Sequence, residues 1–340
     1  MKIVGIVVEY NPFHTGHLNH INKVKALHPN SIVIAAMSGE VVQRGEFSIY
    51  NKWDRTETAL EHGVDIVIQI PTYDVLNSAE TFCSKSVEIL NAFGVEEIIF
   101  GSETNNNDNL IKMADKIMEP NSKEEIAKLV KEMQSYPKAM ESFLGETFNP
   151  NDILGISYIV AGKQINKDIK VHSIQRDRGE EYLSASRIRH NLRYEDGSAT
   201  KFDLVKSNPR NMDWLIPIIK AKLVQDSNEP FVNYLQNTFK ENNINTWNEF
   251  LEIANNKSFT KARVARETMK FVADIKQENS KIRVLGLSSD GRNYLRDNEN
   301  IEYTTKYLQE HENDLKISKL LDIQYKDSVE SETKKTIVIK

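Results

Sequence analysis

Ile3 to Val8 is an apolar run without a polar position, and it passes through a short loop into a segment with helical spacing. A strand that is apolar on both faces must be covered on both faces, which a one-sided sheet does not do. The pattern recurs. His17–Leu27 places Leu18, Ile21, Val24 and Leu27 at helical spacing, Ser31–Met37 is a second buried strand, and Lys52–Leu60 is helical. Asp65–Ile70 reads as a strand ended by Pro71, Ser78–Phe93 as a helix closed by Gly94, and Glu96–Phe100 as a fourth strand. Strand–helix repetition at this spacing predicts an α/β fold with a parallel sheet and helices on both faces.

After the Asn-rich turn Thr104–Asn109, the spacing predicts helices over Leu110–Ile117, Lys123–Met133 and Ile153–Lys163, a strand over Ile169–Ile174 and a helix over Ser184–Leu192. Beyond residue 200 the alternation fades. Phe202–Lys240 and Trp247–Asp274 read as helical and Ile282–Leu287 as a strand. For 340 residues two domains are expected, over 1–200 and 201–340, the second mainly helical. No apolar run approaches the roughly 20 residues that span a bilayer, so no membrane association is expected. With no signal-peptide pattern and Cys83 as the single cysteine, the expected location is cytoplasmic and Cys83 is expected to be a buried small hydrophobe. The net charge of −5 excludes a histone-like polycation.

The chemistry concentrates after the first strand, in Glu9-Tyr10-Asn11-Pro12-Phe13-His14-Thr15-Gly16-His17-Leu18. Ligands of open α/β sheets bind at the carboxyl ends of strands, beside helix N-termini whose free N–H groups favour phosphate. Pro12 fixes the loop, Gly16 removes a side chain where phosphate would approach, and His14 and His17 share a helix face. Two imidazoles aimed at one point can donate to phosphate oxygens and stabilise charge at an attacked phosphorus. A metal would need a third ligand, and none is visible nearby, so no protein metal ligand is assigned. Later, Ser184-Ala185-Ser186-Arg187-Ile188-Arg189 opens a helix that Ser186 can cap, with Arg189 on the same face.

His14-Thr15-Gly16-His17 resembles the HxGH signature of the HIGH-type nucleotidyltransferase superfamily, and the Ser184–Arg189 segment resembles its second signature. That resemblance implies a Rossmann-like doubly wound sheet that cleaves ATP between its α- and β-phosphates. Met37–Glu46, Tyr50–Arg55, Asp65–Pro71, Phe100–Glu103, Pro150–Tyr158, Ile174–Arg176, Ile282–Gly286 and Gly291-Arg292 together look like the tRNA(Met) cytidine acetate ligase family, over roughly residues 1 to 295.

The resemblance implies activation of acetate by ATP as acetyl-adenylate, then transfer of the acetyl group to N4 of the wobble cytidine of elongator tRNA(Met). It implies His14 and His17 as catalytic residues. It implies an ATP-binding segment comprising Val7, Val8, Glu9, Tyr10, Asn11, Pro12, Phe13, His14, Thr15, Gly16, His17, Leu18, Asn19 and His20, joined by Gly101, Asn151, Arg176, Ser186 and Arg189. Mg²⁺ is expected with ATP, through phosphate oxygens and water. Two positions depart from the family pattern. Asp152 stands where a second Asn is usual and is expected to cap the helix at Ile153, and Glu40 stands where Asn is common.

Lys and Arg outnumber Asp and Glu by nine to four over Thr260–Arg296 and by thirteen to eight over Lys163–Lys222. Either region could be a solvated helix face, or the two could form a positive track for tRNA, with Arg263, Arg266, Arg283, Arg292 and Arg296 as contacts. An unpaired base would also need an aromatic or Arg plane. The alternatives are a small-molecule adenylyltransferase of coenzyme biosynthesis, a non-catalytic nucleotide-sensing RNA-binding module and, last, a metal-dependent hydrolase.

Overall fold

The structure is a computed structural model. It describes residues 1–133, 136–176, 184–195, 203–205, 207–225, 227–326 and 328–340. The expected domain division at residue 200 lies outside the described residues.

Five parallel strands form the centre: β1 (Ile3–Val8), β2 (Ile32–Ser38), β3 (Ile66–Ile70), β4 (Glu97–Ser102) and β5 (Lys170–Gln175). The sheet order is β5-β4-β1-β2-β3-β6-β7, so the direction of winding reverses between β1 and β4. The early helices α1 (Thr15–Leu27), α2 (Lys52–Glu61) and α4 (Ala79–Ala92) match the predicted segments within a few residues, and a short helix that the spacing does not predict, α3 (Thr72–Val75), precedes α4. The α4 helix is capped by Ser78, and Gly94 takes the left-handed conformation just beyond its end. Next come α5 (Asn107–Met118), α6 (Ser122–Met133), α7 (Tyr136–Leu144), α8 (Pro150–Ile165) and α9 (Ala185–Tyr194). Two apolar clusters, one on each face of the sheet, bury the alternate residues of β1–β4, and Cys83 lies in one of them.

The later chain is less regular than predicted. Among the described residues of Phe202–Lys240 the helices are α10 (Leu215–Lys222) and α11 (Pro230–Glu241), and Trp247–Asp274 holds α12 (Trp247–Ile253) and α13 (Lys261–Ala273). The polar stretches Ser227–Glu229 and Asn255–Thr260 break them. β6 (Arg283–Leu287) then pairs antiparallel with β3, and β7 (Val338–Ile339) pairs with β6. Between these strands lie α14 (Ser289–Asp297), α15 (Glu312–Asp322) and α16 (Ser328–Lys334). The C-terminal part of the chain therefore completes one edge of the same sheet. No helix among the described residues is long and apolar enough to cross a membrane.

A buried ion cluster fixes that edge. Lys52, at the start of α2, donates to Gln69 of β3 at 2.9 Å and pairs with Glu332 of α16 at 2.6 Å. Arg283 of β6 pairs with the same carboxylate, and its guanidinium lies 5.4 Å from the centre of the Trp53 ring. All three charged side chains are almost fully buried. Burial works to raise the Glu332 carboxyl, but the two cations outweigh it and hold it below its ordinary value. Glu332→Ala leaves two buried cations without an anion and is expected to cost about 3–5 kcal/mol in denaturant unfolding. In the parent, this carboxylate's contribution is complete above its ordinary value of 4.5 and is lost as pH falls below that. A Glu332→Ala variant as stable as the parent would contradict this.

Candidate active site

The loop after β1 leaves the sheet at the point where the winding reverses, and four separate parts of the chain hold it. Tyr10 adopts a left-handed φ of 47° and is buried, and the Asn11–Pro12 peptide is cis. The Glu9 carbonyl accepts from Arg55 at 2.6 Å, and the Asn11 side chain accepts from the Ile49 amide at 2.8 Å. The Asn11 carbonyl accepts from Arg189 at 2.5 Å and the Phe13 carbonyl from the Leu204 amide at 3.0 Å. Phe13 and Tyr10 pack under His17, with ring centres 5.8 and 5.0 Å from it.

The two histidines then cap α1 reciprocally. His14 Nδ1 accepts from the Gly16 amide at 3.0 Å, and His17 Nδ1 accepts from the His14 amide at 3.3 Å. Their rings stack with centres 3.9 Å apart. A ring nitrogen that accepts an N–H carries no proton, so each ring, when neutral, carries its proton on Nε2. Burial, helped by Arg176 and Arg189, lowers the His14 pKa to about 4. Burial and the neighbouring His14, His20 and Arg176 hold His17 well below its ordinary value. His20 is lowered to about 4 by burial, Lys23 and Arg176. The capping bonds therefore fix both rings of the pair as neutral Nε2–H donors. His14 Nε2 is buried without a hydrogen-bond partner among the described residues, a donor awaiting an acceptor.

The second wall comes from β4, β5 and α8. Glu103, just past β4, accepts on Oε1 from Asn151 at 2.5 Å and from Arg176 at 3.0 Å. Sequence reasoning gave Glu103 no role. Its signal was its place directly after Gly101-Ser102 at the end of a parallel strand. A Cβ on Gly101 would meet Arg176 and His20 at 3.9–4.0 Å, an ordinary contact, so protein packing alone does not require glycine there.

The structure thus brings His14, His17, Gly101, Asn151 and Arg176 to one edge of the sheet, with Arg189 clamped to the loop. Val7 and Val8 end β1, while Leu18, Asn19 and His20 continue α1 beside Thr15 and Gly16. Tyr10 and Phe13 are interior supports.

Several expectations are corrected. Ser184, not Ser186, caps α9 by accepting from the Arg187 amide, and Ser186 instead accepts from Arg189 at 3.2 Å. Asp152 does not cap a helix at Ile153. It lies in the first turn of α8, which begins at Pro150, and accepts from the Ser102 hydroxyl in the interior, where the helix dipole favours a carboxylate. Glu40 is also interior, paired with Arg210 and accepting from the Lys52 amide at 3.1 Å. Burial raises its carboxyl, but Arg210, Lys52 and Arg55 together pull it below the ordinary value.

The positive track does not form as expected. Arg283 is buried in the Glu332 cluster and cannot meet a polyanion. Arg292 and Arg296 are exposed on α14, which starts against Asp65 at the amino end of β3, opposite the histidine pair. Arg266 remains on the site side, donating to the Gln43 carbonyl at 3.3 Å, with Arg263 one helical turn away. Among the described residues, no three His, Cys, Asp or Glu side chains converge as a metal-ligand set.

A family model described as HIGH Nucleotidyl Transferase matches residues 1–336. The tRNA(Met) cytidine acetate ligase of Caldicellulosiruptor bescii is 32% identical, over 97% of this chain and 93% of the relative. That of Ligilactobacillus salivarius is 30% identical over 92% of each. A crystal structure of Thermotoga maritima TmcAL bound with alpha-thio ATP superposes with a TM-score of 0.84, at 23% identity and over all of both chains, and so shares the fold.

The capping geometry has a measurable signature. Nitrogen NMR of the His14 and His20 rings should show neutral imidazole down to about pH 5. The unfolded chain binds protons at 6.5 and the folded one near 4, so stability should fall as pH drops through that window. Ring protonation near pH 6.5 in the folded protein would contradict the assignment.

Proposed function

The chain belongs to the HIGH nucleotidyl transferase family and, within it, to the tRNA(Met) cytidine acetate ligases, and from that membership we propose a two-step reaction for it. In the first step an acetate oxygen attacks the α-phosphorus of ATP. The bond to the β-phosphate oxygen breaks, and acetyl-adenylate and pyrophosphate form. In the second, N4 of the wobble cytidine of elongator tRNA(Met) attacks the acetyl carbonyl, AMP leaves, and the amine gives up one proton. N4-acetylcytidine results.

Acetate and the cytosine amine are the two nucleophiles, so the protein's task is positioning and charge stabilisation. The observation that carries this reading is the reciprocal histidine cap. It leaves both rings at one helix start as uncharged Nε2–H donors at neutral pH. His14 and His17 donate to the phosphate oxygens on which negative charge grows. Arg189 stands beside them on the Asn11 carbonyl, the side suited to departing pyrophosphate. Asn151 and Arg176, held by Glu103, meet the nucleotide, and the space beside Gly101 leaves room for it. Mg²⁺ would accompany ATP through phosphate oxygens and water. Arg263 and Arg266 belong to the tRNA side, and the cytoplasm, where tRNA is matured, is the compartment that fits.

Acetate-dependent exchange of labelled pyrophosphate into ATP tests the first step. His14→Asn keeps an acceptor for the Gly16 amide but lacks the Nε2 donor. It should melt within a few degrees of the parent and lose about 10²–10³ in kcat/KM for exchange. Full activity in that variant would remove His14 from the mechanism. Glu103→Ala releases Asn151 and Arg176 together and should raise the KM for ATP about tenfold, the scale of one charge-assisted hydrogen bond. An unchanged KM would show that Glu103 does not position them. Exchange that requires a different small-molecule acceptor in place of acetate would favour a small-molecule adenylyltransferase.

A further inference from the structure

An aromatic stack stands on the site side of the helical region, at the junction of α11, α12 and α13. Phe259 stacks on Tyr234 with ring centres 5.0 Å apart and planes 19° from parallel, and Phe231 closes on Phe259 at 5.4 Å. All three rings are half-exposed. The Arg263 guanidinium lies over the Phe259 ring at 4.9 Å and donates to the Ser258 carbonyl at 3.1 Å, although its side chain is exposed. Exposed arginines ordinarily sample many rotamers. This one is held by a ring below and a carbonyl at its edge.

The turn beneath it is equally fixed. Asn256 accepts from the Ser258 and Phe259 amides, both at 2.8 Å, and donates to the Tyr234 hydroxyl at 3.0 Å. A pre-ordered arginine plane backed by aromatic rings is what an unpaired base needs for stacking. The local charge suits an RNA strand. Lys257 is exposed, Glu252 is neutralised by Lys261, and Glu267 pairs with Lys270 at 3.3 Å.

Position ties this plane to the active site. Gly45 lies so close to the second turn of α13 that a Cβ would meet the Arg266 amide nitrogen at 2.3 Å. Arg266 donates to the Gln43 carbonyl, and the Gln43 amide donates to Glu9 in the loop after β1 at 2.6 Å. Arg263 is one helical turn, about 4.5 Å of rise, beyond Arg266. Arg263 therefore lies close to the face of α13 that reaches Gln43.

We propose that Arg263, backed by Phe259 and Tyr234, is a stacking platform for an unpaired base of the RNA substrate, on the side of α13 that faces the active-site loop. This rests on the tRNA reading above, but it is tested without acetyl transfer. Binding of an elongator tRNA(Met) transcript to the full chain is measured at fixed salt, with neither ATP nor acetate present. The variants are Arg263→Ala, Arg263→Lys and Phe259→Leu, each compared with the parent for Tm. A platform predicts that Arg263→Lys, which keeps the charge and loses the plane, weakens binding about tenfold, as Arg263→Ala does. Phe259→Leu, which removes the backing ring and leaves the arginine, should weaken it in the same direction. The proposal is overturned if Arg263→Lys binds as the parent does, which would make Arg263 a phosphate contact, or if Arg263→Ala binds unchanged. A parent that binds the transcript but makes no N4-acetylcytidine would contradict the functional reading and leave the platform standing.

Discussion

The guanidinium of Arg55 holds the site edge of the sheet together. It is fully buried and donates to the carbonyls of Glu9, Ser38, Gly39 and Tyr50 and to the Ser48 hydroxyl. Where β1 and β2 end, their chains diverge and their last carbonyls lose ladder partners while remaining buried, so donors must come from elsewhere. Arginine supplies five N–H groups from one planar fork, which no lysine can do. Burial lowers its pKa to about 10, with the nearby Glu40 and Glu9 acting the other way, so it remains a cation at neutral pH. The left-handed Tyr10 and the loop holding Glu40 both begin from carbonyls that Arg55 satisfies.

From that frame the chemistry follows by short steps. A fixed loop lets two histidines cap a helix with their Nδ1 atoms, and the capping sets which nitrogen carries the proton. The proton's position makes the pair neutral donors at the helix start, where an anion is already favoured. The same logic acts on the other wall, where one carboxylate, Glu103, orders an amide and a guanidinium from two different elements. Each device converts a backbone or side-chain constraint into a pre-set donor direction.

Much of this is written locally in the sequence. The apolar runs of β1 to β4 and the helices between them are set by periodicity, and the histidine segment announces itself by following the first strand. What periodicity cannot give is pairing between distant segments. β6 joins β3 across more than two hundred residues, and nothing local in Arg283–Leu287 says that its direction is antiparallel or that Arg283 faces Glu332. Charge counting failed at Arg283 for the same reason: it sums residues without regard to which of them the fold buries. Asp152 and Ser186 were misread as caps because either residue type suits a cap, and only the observed helix starts, Pro150 and Ala185, decide between positions. Glu103 went unassigned because its role depends on Asn151 and Arg176, 48 and 73 residues away.

The most direct test of the whole account is nucleoside mass spectrometry of an elongator tRNA(Met) transcript after incubation with the protein, ATP and carbon-13 acetate. The account predicts N4-acetylcytidine carrying the label at the wobble position, with one AMP formed for each acetyl group transferred. Consumption of ATP with the wobble cytidine left unmodified would contradict it.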